Sequence, residues 1–108
     1  AACSGMYELE PVRLSHRNTY LDLTETSAAR NSSIRHIPEN DIPLTMAWGT
    51  GELDEFQRQG REFAEAWAAA GHTVDTFILD GMHHFEVGRE IVQPEYPVLA
   101  NILKNITF

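Results

Sequence analysis

Two short apolar runs constrain this chain more than any other feature: Pro43–Trp48, closed by Gly49, and Thr73–Leu79. Each has the length of a strand, and a single long amphipathic segment lies between them. A strand, a helix and a second strand in that order form a crossover unit, the connection that parallel strands require. The unbroken apolar character of Pro43–Trp48 suits a strand covered on both faces. The helix is expected over Asp54–Ala70. Phe56, Gly60, Phe63, Trp67 and Ala70 recur at spacings of three and four and make its inward stripe. Asp54 and Glu55 stand at its positive end, and Gly71 follows its last turn, where a glycine ends a helix.

The rest of the chain adds to this unit. Ala1–Ser4 reads as the end of a buried strand broken by Gly5. Met6–Thr19 reads as loop-rich with Pro11 as punctuation, Thr24–Arg30 as a short helix, and Asn31–Ser33 and Pro38–Asp41 as loops. Pro94–Phe108 holds a last helix, with Val98, Ile102, Leu103 and Ile106 as its apolar side. The fold class is therefore α/β: parallel strands with flanking helices.

Charge excludes some partners. The chain carries 16 acidic residues against 8 basic ones, for a net charge of −8. Nucleic acid and anionic membranes both need a basic face and are not expected partners. No apolar run approaches the ~20 residues that span a bilayer. Cys3 is the single cysteine and cannot make an internal disulfide, which fits a cytoplasmic location. The sequons Asn31–Ser32–Ser33 and Asn105–Ile106–Thr107 read as chance matches. The chain opens on AACSGMYELEP, inside strand-like sequence and without a methionine, as expected of a piece of a longer or cleaved protein.

In open parallel sheets, chemistry sits beyond the carboxyl ends of the strands. Two loops fall there, the carboxylate-rich Gly49–Leu53 and Asp80–Gly88 with its histidine pair. Glu52 after one strand and His84 after the next match the acid-then-histidine half of a Ser-acid-His triad in α/β-hydrolase order. The histidine takes the proton of a serine hydroxyl, and the carboxylate fixes its tautomer and stabilises the imidazolium. Asp54 is the alternative acid, although its place at a helix start already accounts for it. Phe85 is expected to anchor the loop in the core, Glu86 to cap a short helical turn, and His83 to be a neighbour by accident or for packing. His83, His84 and Glu86 lack the spacing of a metal site, so no metal or other cofactor is expected. Cys3 reads as a small buried apolar residue, Arg58 and Gln59 as helix surface, and Phe56, Phe63 and Trp67 as core.

The segment GTGELDEFQRQGREFAEAW followed by GMHHFEV resembles the kynurenine formamidases (arylformamidases) and their esterase relatives among the α/β hydrolases. The matching features are the Gly49–Glu52 turn, the helix start Glu55, Phe56, Arg58 and Gln59, and the run His84, Phe85 and Glu86. CSGMYELEP also resembles the family's strand end and turn, at Ser4, Gly5, Tyr7, Leu9 and Pro11. The resemblance implies that residues 1–108 are the C-terminal part of a single α/β-hydrolase domain. It implies cleavage of an ester or of the formyl amide of an aromatic amine, with Glu52 and His84 as catalytic residues. Two departures stand out. The family's acid is usually aspartate, and no Gly-x-Ser-x-Gly nucleophile turn occurs anywhere in the chain. Ser4, in Ala-Cys-Ser-Gly, matches a structural strand. The nucleophilic serine is therefore expected on an N-terminal part of the same hydrolase, and this chain alone is expected to be inactive. The rival class is a non-enzymatic α/β module that binds a protein partner through an open sheet edge.

Overall fold

The computed structural model describes residues 1–106; Thr107 and Phe108, which fall in the second sequon and the last expected segment, lie outside the described residues. Strand β2 (Leu44–Gly49) is buried along its whole length, as its unbroken apolar run requires. It lies between β1 (Ala2–Cys3) and β3 (Val74–Leu79), and both pair with it in parallel. The β2–β3 register runs from Leu44 opposite Val74 to Gly49 opposite Leu79, so the two strands end level.

Successive strand residues point to opposite faces, and β2 therefore feeds two cores. Leu44, Met46 and Trp48 join Tyr7 and Phe63 on one side. Ala47 joins Leu79, Val87 and Val98 on the other. Helix α4 (Asp54–Ala69) supplies Phe63 to the first core. Helices α5 (His84–Glu90) and α6 (Pro97–Lys104) supply Val87 and Val98 to the second. The result is three layers, helix, sheet and helices. The Phe63 ring stacks on Tyr7 at 4.2 Å and is tilted against Trp67 at 5.5 Å. The α4 stripe stops short of its expected end: Ala70 is exposed, and Gly71 turns the chain away with φ 94°. On α6, Val98 and Ile102 face the core, while Leu103 and Ile106 are exposed. Leu103 lies ~140° around the helix from Val98, and Ile106 falls past the last turn.

The stretch expected to be loop-rich, Met6–Thr19, holds α1 (Glu10–Arg13) and the start of α2 (Asn18–Leu21), and the expected short helix follows as α3 (Glu25–Asn31). Pro11 punctuates nothing, because it sits in the first turn of α1, where a missing N–H is harmless. Four-residue helices are too short to print a periodic stripe. Helix α3 begins where the sequence places it, closed by a reciprocal Thr24–Ser27 cap. It runs on to Asn31, and a 3-10 turn follows at Ser33–Arg35, in place of the expected loop.

Gln59 is buried, not on the helix surface. Its Oε1 accepts from the backbone N–H of Tyr7 (2.7 Å) and of Glu8 (2.8 Å). Its Nε2 donates to the carbonyl of Glu8 (3.0 Å) and to Glu55 (2.8 Å). All four hydrogen-bonding positions of the amide are filled, and the segment after β1 is clasped to α4. Gln59→Ala strands two backbone donors, that of Tyr7 buried and that of Glu8 partly so. It is expected to lower unfolding free energy by about 2–4 kcal/mol. Chemical denaturation measures this, and a loss under ~1 kcal/mol would show the clasp to be dispensable.

Candidate active site

The strands end level, so the turns that follow β2 and β3 leave side by side and lock together. Thr50 N donates to the carbonyl of Leu79 at 3.1 Å, and Gly51 N to that of Met82 at 3.0 Å. Gly81 N returns a bond to Thr50 Oγ1 at 2.7 Å. Such close backbone contact excludes side chains. A Cβ on Gly51 would stand 2.7 Å from the Gly81 carbonyl oxygen, and one on Gly49 would collide with that of Met82.

This docking brings Glu52 and His84 together. Glu52 Oε1 lies 2.7 Å from His84 Nδ1. Glu52 Oε2 accepts from Ser4 Oγ at 2.7 Å and from Gly49 N at 2.7 Å. The carboxylate is wholly enclosed, with 0% of the Glu52 side chain exposed, whereas the His84 side chain is 44% exposed. An ionised carboxylate only accepts hydrogen bonds, so against it Nδ1 is the donor, and in the neutral imidazole Nε2 is then the nitrogen with the lone pair. Among the described residues, no hydrogen bond engages Nε2. Asp54, the alternative acid, is an exposed first-turn residue of α4 and does not reach the imidazole.

The loop expected at Asp80–Gly88 is shorter, because α5 begins at His84. His83 is its cap. The ring Nδ1 of His83 accepts from Glu86 N at 3.3 Å, and Glu86 Oε2 accepts from His83 N at 3.0 Å. The reciprocal pattern is that of a Ser-x-x-Glu cap, with an imidazole in place of the hydroxyl. A histidine in that role and Gly88 inside the helix both hide the start of α5 from sequence reading. Glu86 caps as expected, and His83 has a structural purpose beyond packing. Phe85 does not anchor the loop: it is 82% exposed, and Val87, fully buried, does that work two residues later. On a helix Phe85 and Val87 point in different directions, and only Val87 faces the sheet.

A cavity of about 640 Å³ opens over the pair, lined by Arg17, Leu53, Phe56, His84 and Phe85 with Glu52 at its floor. An adjoining groove of about 400 Å³ shares Arg17, Leu53 and Phe56 and continues past Met6, Leu9 and Val12. Phe56, expected in the core, belongs to neither core: it is half-buried at the cavity wall, its ring 4.6 Å from the His84 ring. Arg58 is held by Glu55 and Glu62. Arg17 is the cation at the cavity, and nothing in its local sequence marks it. His83 turns to Glu86 and His84 to Glu52. Among the described residues, no group of three or more His, Cys, Asp or Glu could hold a metal ion. Burial pushes the Cys3 thiol above its ordinary pKa, which keeps it protonated and a poor nucleophile. Ser4, read as strand structure, proves to be a ligand of the carboxylate.

No family model matches the chain, and no solved structure matches it. Curated proteins do match, among them two kynurenine formamidases. A kynurenine formamidase of Danio rerio is 29% identical over 108 residues, covering 95% of this chain and 37% of the relative. A kynurenine formamidase of Salmo salar is 25% identical over 107 residues, covering 94% of this chain and 36% of the relative. The chain thus spans a little over a third of the length of these relatives.

Gly51→Ala forces the two turns apart at the point that sets the Glu52–His84 distance. It is expected to cost about 1–3 kcal/mol of stability. It should also shift the Nδ1–H proton resonance of His84. An unchanged resonance at wild-type stability would mean that the turns are not held by this contact.

Proposed function

We propose that this chain is the C-terminal part of a single α/β-hydrolase domain that cleaves an ester or amide bond with a Ser-His-acid triad. Glu52 is the acid and His84 the base. The observation that carries the reading is the 2.7 Å contact from an enclosed carboxylate to His84 Nδ1, at the carboxyl ends of parallel strands and beneath an open cavity. The names and the 29% and 25% identities of the two relatives support a hydrolase. A formyl amide of an aromatic amine and a simple ester are both within the proposed substrate class.

The residues divide the work as follows. Nε2 of His84 takes the proton of the nucleophile as that oxygen attacks the carbonyl carbon, and later gives it to the leaving amine or alcohol. Glu52 keeps Nδ1 protonated and stabilises the imidazolium that forms between these steps. Water then repeats the sequence on the acyl intermediate. Leu53, Phe56 and Phe85 give the leaving group an apolar bed. Ser4 is not the nucleophile, because its hydroxyl is spent on Glu52 Oε2. The nucleophilic serine is assigned to an N-terminal part of the same hydrolase, and without it this chain is inactive. The β1 edge remote from β2 is where further strands would continue the sheet. We place the enzyme in the cytoplasm, where the unpaired thiol of Cys3 is at home. Among the described residues, no helix is long and apolar enough to cross a membrane.

In the complete hydrolase, His84→Ala should lower turnover by roughly 10⁴–10⁶ on p-nitrophenyl acetate and on a formyl anilide. His83→Ala removes only a helix cap, with an expected loss of about tenfold or less. Equal losses for both variants, or near-normal rates for His84→Ala, would end the assignment. The acid is checked separately. Glu52→Gln still fills the pocket but favours the wrong tautomer, and should cost up to ~10⁴ in turnover. Asp54→Asn should leave turnover within about twofold, and the reverse ranking would name the other carboxylate.

A further inference from the structure

Ser4 holds a conformation that serine rarely adopts. Its φ of 46° lies in the left-handed region, and Asp22 is the one other non-glycine residue found there among the described residues. Aspartate tolerates that region through local hydrogen bonding, whereas serine meets the full steric penalty of its Cβ. The surroundings hold Ser4 in place. Its N–H donates to the carbonyl of Ala47 at 3.0 Å, which extends the β1–β2 ladder by one bond. Its side chain is buried, and its hydroxyl donates to Glu52 Oε2 at 2.7 Å. The strained backbone is what aims that hydroxyl across the sheet end at the carboxylate.

We propose that Ser4 is a positioning residue for the Glu52–His84 pair, and that its backbone strain is retained for this purpose. The inference rests on the reading of Glu52 and His84 as acid and base. A carboxylate on a single bond can rotate about its last torsion. With Oε2 fixed by Ser4 and by Gly49 N, that rotation is blocked and Oε1 is left pointing at Nδ1. Loss of the Ser4 donor leaves Gly49 N as the one remaining hold on Oε2, so the carboxylate is loosened and the imidazole has a less fixed partner in the step where charge develops. The effect therefore falls on turnover more than on substrate binding. Local strain kept at a working site is a recognised arrangement.

The test is Ser4→Gly, made in the complete hydrolase. Glycine accepts the left-handed conformation without strain and removes only the hydroxymethyl group. The thermal midpoint is expected to be unchanged or raised, kcat to fall by about 10–100-fold, and KM to stay within about twofold. Ser4→Ala, which keeps the strain without the hydroxyl, should lose kcat to the same degree with a lower midpoint. In a Glu52→Ala background Ser4→Gly should cause no further loss, because there is no carboxylate left to hold. A Ser4→Gly enzyme turning over at the wild-type rate while His84→Ala is inactive overturns the role of Ser4 and leaves the triad standing. A loss that persists undiminished in the Glu52→Ala background marks a general structural effect and also overturns it. Normal rates for His84→Ala would remove the triad itself and the inference with it.

Discussion

A carboxylate with no access to water dominates the organisation of this molecule. Moving an ionised group out of solvent is prohibitive unless its lone pairs are met by donors. Glu52 is met by three, and they come from three elements: the end of β1, the end of β2 and the first residue of α5. No single element can satisfy it. The ends of the strands and the start of the helix are thus held to one another through this carboxylate. Ser4 accepts an unfavourable backbone conformation, and Gly49 and Gly51 do without side chains, because the convergence leaves no other room.

The sheet makes that convergence possible. Parallel pairing with Gly49 opposite Leu79 brings both strands to the same height, and the turns beyond them meet backbone to backbone. Each histidine of the adjacent pair is then committed by geometry. His83 lies outside the helix and caps it, whereas His84 is the first residue within it and swings to the carboxylate. Two imidazoles in succession are explained by a helix boundary that falls between them. The apolar weight that fixes the boundary is Val87, one turn further on.

Much of this was legible in the chain. Strand β2, helix α4 and strand β3 follow from apolar runs and a regular stripe, signals that depend on neighbours in sequence. The same reading places Glu52 and His84 at the same sheet edge, because residues just after parallel strands share it. What escaped was decided by partners far along the chain. Gln59 resembles any polar helix residue until Tyr7 and Glu8, more than fifty residues earlier, present their N–H groups to it. Phe85 reads as an anchor by hydrophobicity alone, and only the helix phase shows that it faces out. Ser4 carries no mark of its duty, since its hydroxyl serves a carboxylate 48 positions away. The short helices α1 and α2 escape because four residues cannot display a period.

The turn that bears the acid is closed by contacts of very different reach. Glu52 N bonds the Gly49 carbonyl at 3.3 Å, and the carboxylate bonds Gly49 N, both across only three residues. His84 and Ser4 come from 32 and 48 positions away. Entropy of loop closure rises with the length of chain enclosed, so the ring at Gly49 has the smallest ordering cost of the three. Glutamate at this position therefore begins its own placement: the turn supplies the first hold on the carboxylate, and the distant hydroxyl and imidazole complete it.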